Sequence, residues 1–236
     1  MASRVAAGIQ ALVERYDLGA GAAPRLETLA RLLIEDPTAP TMIREPAKVI
    51  DDHLADSLVA LELGQVRSSS AVADLGAGAG LPGVPLAIAL PLATVDLVES
   101  STRKCAFIER AIAESRTWNA RAVNARAEAW SAGIGQMDLV TARALAPLDV
   151  VVEYAAPLLR VGGTLVVWRG RRDPEAEAAG SEAAAKLGLE VAEIRRVRPY
   201  MDAYARHLYL ALKVMETPKG FPRRSGVALK RPLGRR

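Results

Sequence analysis

Ten residues, Asp74-Leu75-Gly76-Ala77-Gly78-Ala79-Gly80-Leu81-Pro82-Gly83, set one carboxylate among four glycines directly after the apolar run Ala71-Val72-Ala73. An apolar strand that runs into glycines makes a loop whose main chain a ligand can touch, because no Cβ stands in the way. Gly78-x-Gly80-x-x-Gly83 also satisfies the dinucleotide fingerprint, yet the acid sits two residues ahead of Gly76. A carboxylate aimed into the loop would repel a pyrophosphate and suit the ammonium of an aminoacyl group. The residues therefore point to an S-adenosylmethionine site rather than an NAD site, with Asp74, Gly76 and Gly78 in it.

Further polar residues fall where such a site needs them. Glu99 ends the next apolar run, 23 residues beyond Gly76, where an acid can hold both ribose hydroxyls of a nucleoside. That role serves either cofactor, so Glu99 supports nucleoside binding without choosing the ligand. Arg126-Ala127-Glu128 follows the third strand and would meet the adenine end, with the backbone of Ala127 and Glu128 reading its edge. Arg143 closes the fourth strand. Its fixed cation and planar fork suit a phosphate or a guanine edge, and a salt bridge to Glu99 or Asp149 is the plainer alternative. Arg169, after the fifth strand, could serve the same side. His53 and Asp56, with Ser57 beside them, are spaced to share a helix face, where a hydrogen-bonded pair could brace the glycine loop. One cysteine and two histidines leave too few ligands for a metal site, and none is expected.

These residues need a scaffold of alternating strands and helices. Residues 5–16 and 26–34 carry apolar positions at helical spacing, and a third helix is expected from Pro46 to Gly64. The polar, serine-rich 65–70 is the expected boundary between an N-terminal helical extension (1–64) and the main domain (65–217). Strands are expected at 72–75, 94–99, 121–124, 138–142 and 163–168, with helices at 84–90, 102–115, 147–159 and 174–187. Strands at 189–197 and 207–214 close the pattern with no helix between them, which implies a hairpin. The expected fold is a doubly wound, mostly parallel seven-stranded α/β sheet with its last strand antiparallel, the Rossmann-like class I methyltransferase arrangement. A dinucleotide-binding domain would instead continue its βα alternation.

Composition sets outer limits. At 236 residues, half of them hydrophobic and a quarter charged, the chain can bury one full α/β core. No apolar run approaches the roughly 20 residues of a membrane helix, so a cytoplasmic protein without membrane contact is expected. The net charge of +4 becomes −3 once the seven cations of residues 219–236 are set aside. Lys219, Arg223, Arg224, Lys230 and Arg231, with Arg169, are thus candidates for binding a polyanion, the tail (218–236) acting as an arm or simply as a solvated end. Phe221 and the two prolines of residues 219–236 suggest that part of the tail packs.

Together, several segments resemble the bacterial small-subunit rRNA guanine-N7 methyltransferase family, also called glucose-inhibited division protein B. They are His53-Leu54-Ala55-Asp56-Ser57-Leu58, the 74–83 loop with Val84-Pro85-Leu86-Ala87-Ile88, and Arg103-Lys104. Arg126-Ala127-Glu128, Thr141-Ala142-Arg143-Ala144 and Phe221-Pro222-Arg223-Arg224-Ser225-Gly226 complete the set, over roughly residues 46–233. The resemblance implies methyl transfer from S-adenosylmethionine to N7 of one guanine in 16S rRNA, free or within the small ribosomal subunit, by a monomer. It places Gly76, Leu81, Ala127, Glu128 and Arg143 at the cofactor site, and Arg143 as the residue nearest the chemistry. Two departures stand out: Pro40-Thr41-Met42-Ile43 replaces the family's Trp-Asn stretch, and Arg169 replaces a lysine before Gly170. Guanine N7 needs no deprotonation, so positioning can suffice and a general base is not required. Two other functions compete, a non-catalytic RNA-binding or ribosome-assembly factor and, with less support, an NAD-dependent oxidoreductase.

Overall fold

The computed structural model describes residues 2–234. Seven strands form one sheet in the order β3-β2-β1-β4-β5-β7-β6. They are β1 Ala71–Leu75, β2 Thr94–Glu99, β3 Ala120–Asn124, β4 Met137–Arg143, β5 Leu159–Arg169, β6 Leu189–Val197 and β7 Arg206–Lys213. β1, β2, β3, β4 and β5 pair in parallel, whereas β7 runs antiparallel to both β5 and β6. β1 lies between β2 and β4 and is buried on both faces, which is why its residues other than Asp74 are apolar without alternation. The strand order reverses next to β1, and a crevice opens there at the carboxyl ends of the parallel strands. Antiparallel β7 brings its first residues to that same edge.

The N-terminal helices cover one face of this sheet. Leu26, Leu29 and Leu33 from Ala22–Glu35, and Leu54 and Leu58 further on, share one apolar cluster with Val84, Leu97 and Ile108. The other face packs on Leu148–Ala155, buried along its whole length, and on Pro174–Lys186. Segment 65–70 is knitted in rather than extended: Val66 is buried, Arg67 donates to the carbonyls of Leu61 and Tyr16, and Asp138 accepts from the Ser70 hydroxyl.

Three elements differ from the sequence expectation. The helix expected over 147–159 ends at Ala155, and β5 starts early, at Leu159. Gly163 allows this, since a Cβ there would lie 2.9 Å from the Met137 carbonyl oxygen on the neighbouring strand. Residues 46–62 are helical but not one α-helix: Val49–Ala55 takes π geometry before Asp56–Leu58 resumes the α register. Wide turns of this kind recur at functional sites, and this one places Asp52 against Arg143 and Arg206.

Candidate active site

The glycine loop is held from behind. Gly76 (φ +68°) donates to the Val98 carbonyl at 2.8 Å, and a Cβ on it would lie 2.5 Å from Leu145 Cδ1. Asp74 is fully buried: one carboxylate oxygen accepts from the Gly83 amide at 2.9 Å, the other from the Thr141 hydroxyl at 2.9 Å. A Cβ at Gly83 would stand 2.8 Å from that carboxylate, so the brace itself requires glycine. Burial pushes the Asp74 pKa up to about 7, against the pull of its two hydrogen bonds. This corrects the expectation that Asp74 faces into the loop towards an ammonium group. With the nearest donors taken on the inner side, it acts as the loop's brace.

Glu99 does reach the cleft. It accepts from the Gly78 amide at 3.1 Å and from the Ser101 amide at 2.8 Å, and Lys104 Nζ lies 3.9 Å away. A carboxylate offers about four lone-pair sites, so two amides leave room for two ribose hydroxyls. The cleft, about 260 Å³, is lined among others by Gly76, Glu99, Ala127, Glu128, Tyr154 and Leu229. Ala127 and Glu128 open a 3-10 turn, where backbone N–H groups lack an acceptor within the helix. The Glu128 side chain is turned to the Gly226 amide at 3.1 Å, which leaves its backbone as the part that can read a ligand edge. Leu81 lies in the apolar core beneath the loop rather than among the residues lining the cleft.

A second pocket of 250 Å³ adjoins the first and shares Ala144, Leu145 and Ala146 with it. Ala144 has φ +53°, a strained value for a residue with a Cβ, at the turn between the two spaces. Arg143, Arg169, Arg206 and His207 line the second pocket together with Asp56. Arg143 Nη1 donates to Asp56 Oδ2 at 2.9 Å and to the Asp52 carbonyl at 3.1 Å, so its partner comes from the N-terminal helical run, not from Glu99 or Asp149. Arg206 Nε stands 3.4 Å from the other Asp56 oxygen, and its Nη2 meets Asp52 Oδ1 at 2.9 Å, where the Tyr200 hydroxyl also donates. Trp168 Nε1 donates to the Asp56 carbonyl at 2.6 Å. Burial pushes the Asp56 carboxyl above its ordinary range while Arg143 and Arg206 pull it down. The expected His53–Asp56 pair is corrected as well: His53 Nε2 instead meets the Thr41 hydroxyl at 2.8 Å, and burial beside Arg143 keeps the imidazole below its ordinary range.

Sequence reasoning passed over Asp52, Tyr200 and Arg206. The signal for Arg206 was present, since the first residue of an antiparallel last strand must arrive at the carboxyl edge of its parallel neighbours.

The tail needs a further correction. Arg223 forms a two-pronged ion pair with Glu153, itself buried in Leu148–Ala155, with Nε to Oε1 at 2.6 Å. Its charge is thus spent inside the protein. Lys219, Arg224, Lys230 and Arg231 are exposed, whereas Arg235 and Arg236 lie outside the described residues. Phe221 packs against the second core, as its apolar character suggested. Among the described residues, no helix is long and apolar enough to cross a membrane.

The first cleft fits a nucleoside-bearing methyl donor on its own geometry: a glycine whose Cβ would collide, a carboxylate with spare acceptor capacity, and main chain at the far end. A model of the rRNA small subunit methyltransferase G family matches residues 26–217. The ribosomal RNA small subunit methyltransferase G of Rubrobacter xylanophilus is 41% identical over 196 residues, covering 80% of this chain and 75% of that protein. Its counterpart from Desulfitobacterium hafniense is 37% identical over 196 residues, covering 82% and 81%. In fold, the chain is similar to a SAM-dependent methyltransferase from Aquifex aeolicus (TM-score 0.57, 14% identity, 72% of this chain and 94% of that one). The chain belongs to the rRNA small subunit methyltransferase G family, enzymes that draw their methyl group from S-adenosylmethionine.

Proposed function

We propose that this chain methylates N7 of one guanine in 16S rRNA, with the donor along Gly76, Gly78, Glu99, Ala127 and Glu128 and the target base in the pocket beside Arg143. The observation that carries this reading is the wall shared by the two pockets: Ala144, Leu145 and Ala146 border both. A donor and an acceptor placed on either side of that turn meet at the end of β4. When bound, S-adenosylmethionine supplies a sulfonium methyl; N7 takes it with its lone pair, sulfur keeps the electrons of the broken bond, and the positive charge passes to the purine.

The protein's own part is placement. N7 carries no proton, so no side chain has to remove one, and alignment within a closed space can supply most of the rate. Both contacts of Arg143 use Nη1, one corner of a guanidinium with five N–H donors. A grip on guanine O6 by the remaining donors leaves N7 open, whereas a fork over O6 and N7 would mask the nucleophile. Asp52 and Asp56 balance the cations around the base and hold Arg143 and Arg206 in place. Arg169, half-buried at the pocket wall, and the exposed Lys219, Arg224, Lys230 and Arg231 then face the RNA backbone.

Partner and place follow from the same reading: a monomer acting in the cytoplasm on the small subunit or its RNA. The test supplies the purified chain with S-adenosylmethionine and either free 16S rRNA or small subunits from cells lacking the enzyme, and maps modified nucleotides by mass spectrometry. One 7-methylguanosine is expected. No transfer to either substrate, or a methyl on another atom, overturns the reading.

A further inference from the structure

We infer that residues 221–231 form a strap that completes the methyl-donor cleft, with Leu229 in contact with the donor's adenine end and Arg223 as the residue that positions the strap. The inference rests on the donor site proposed above and deepens it. The strap lies beyond the 26–217 matched by the family model.

Three anchors fix it. The Arg223 guanidinium grips Glu153, which is only 2% exposed, and Tyr154, the next residue of the same helix, lines the cleft. The Gly226 amide donates to Glu128, whose backbone stands at the adenine end. Arg223 Nη2 also donates to the Arg231 carbonyl at 2.9 Å, which closes the strap on itself around the short helix Val227–Lys230. Within that helix Ala228 is buried against the core while its neighbour Leu229 is 50% exposed and lines the cleft.

The chemistry favours a ring as the occupant. A half-exposed leucine at the wall of a cleft gains from being covered by a flat apolar face, and the same cleft already offers the ribose acceptor, Glu99. Arg223 Nε and Nη2 are taken by Glu153 and the Arg231 carbonyl, so this part of the tail is anchored to the core, which argues against it as a free RNA arm. Arg224 and Lys230 remain exposed on the strap. RNA could therefore lie across its outer side while the donor lies beneath.

The test measures affinity for S-adenosylhomocysteine by calorimetry in the full chain, in Leu229→Ser and in Arg223→Gln, and follows amide exchange over 221–231 with and without that ligand. Leu229 is exposed, so its substitution leaves folding intact. Its dissociation constant should rise about fivefold from lost apolar contact, with affinity for a 16S rRNA fragment unchanged. Arg223→Gln should weaken the ligand about tenfold by freeing the strap, Arg223→Lys should restore part of that, and the ligand should slow strap exchange in the parent. Parent-like affinity in both substitutions, or exchange that ignores the ligand, overturns the strap alone. A parent chain that binds no S-adenosylhomocysteine overturns the donor reading beneath it.

Discussion

The two pockets on either side of Ala144-Leu145-Ala146 are built by different means. The donor cleft leans on backbone: the glycine loop, the amides of a 3-10 turn, and one carboxylate anchored by the Gly78 and Ser101 amides. The neighbouring pocket is organised by charge: Arg143, Arg169, Arg206 and Asp56 line it, and Asp52, outside the lining, ties to Arg143 across 91 residues and to Arg206 across 154. Main chain placed by a local turn tolerates little variation in residue type and little displacement. A network of ion pairs can be opened by a competing anion or base edge without unfolding its scaffold. The first construction suits a small molecule bound the same way every time, the second a nucleotide that must be drawn out of a large RNA and released.

Substitutions can break this contrast, the most severe first. Glu99→Ala removes both ribose acceptors and leaves the Gly78 and Ser101 amides unpartnered, so affinity for S-adenosylhomocysteine should fall about a hundredfold with RNA binding unchanged in a filter assay. Arg143→Ala leaves Asp56 buried with only Arg206 nearby, a loss of about 3 kcal/mol and roughly 6–12 °C in melting temperature. The same substitution should weaken RNA binding about tenfold but move donor affinity less than about twofold. Single-turnover rates at saturating donor and RNA should fall less than the affinity does; a pure rate loss with unchanged affinities would refute the placement role. Replacing the pair by Asp56→Leu with Arg143→Met should recover stability and not RNA binding, separating the fold from the site.

Gly76→Ala forces a side chain into φ +68° and against Leu145, a strain of about 1–2 kcal/mol that calorimetry should read as roughly tenfold weaker donor binding. Asp74→Asn should be the mildest, because an amide can accept from Gly83 and donate to Thr141, and donor affinity should stay within about twofold. Its pH signature sharpens the assignment. The Asp74 pKa is raised from 3.8 to about 7, so the neutral form stabilises the fold at low pH and that contribution is lost as pH rises through about 7. Asp74→Asn should flatten this part of the melting-temperature profile between about pH 4 and 7. A carboxylate facing an ammonium would instead give a tenfold loss of affinity and a slope of the opposite sign.

The tail shows how charge counting can mislead. Seven cations without an acid read as an arm for RNA, and four of the five described ones are exposed. Arg223 looks no different from Arg224 beside it, because nothing local announces a buried Glu153 seventy residues away. Asp74 was misread for a related reason: its type and place suited a ligand, but Thr141 on the neighbouring strand and Gly83 across the loop had already taken its oxygens. Arg143 was recognised as important while its partner was not, since Asp56 approaches from a different layer of the fold.

By itself the sequence determined whatever depends on neighbours in the chain: the alternation of strands and helices, the antiparallel closing hairpin, the glycine loop and Glu99 at the end of β2. Those follow from backbone conformation and the periodicity of apolar residues, which act within a few positions. Tertiary structure alone decided the partners of the buried charges, the π turn that places Asp52 against Arg143 and Arg206, and the return of the tail over the donor cleft. A buried charge must find its counterion wherever packing brings one, and that choice is made in space rather than along the chain.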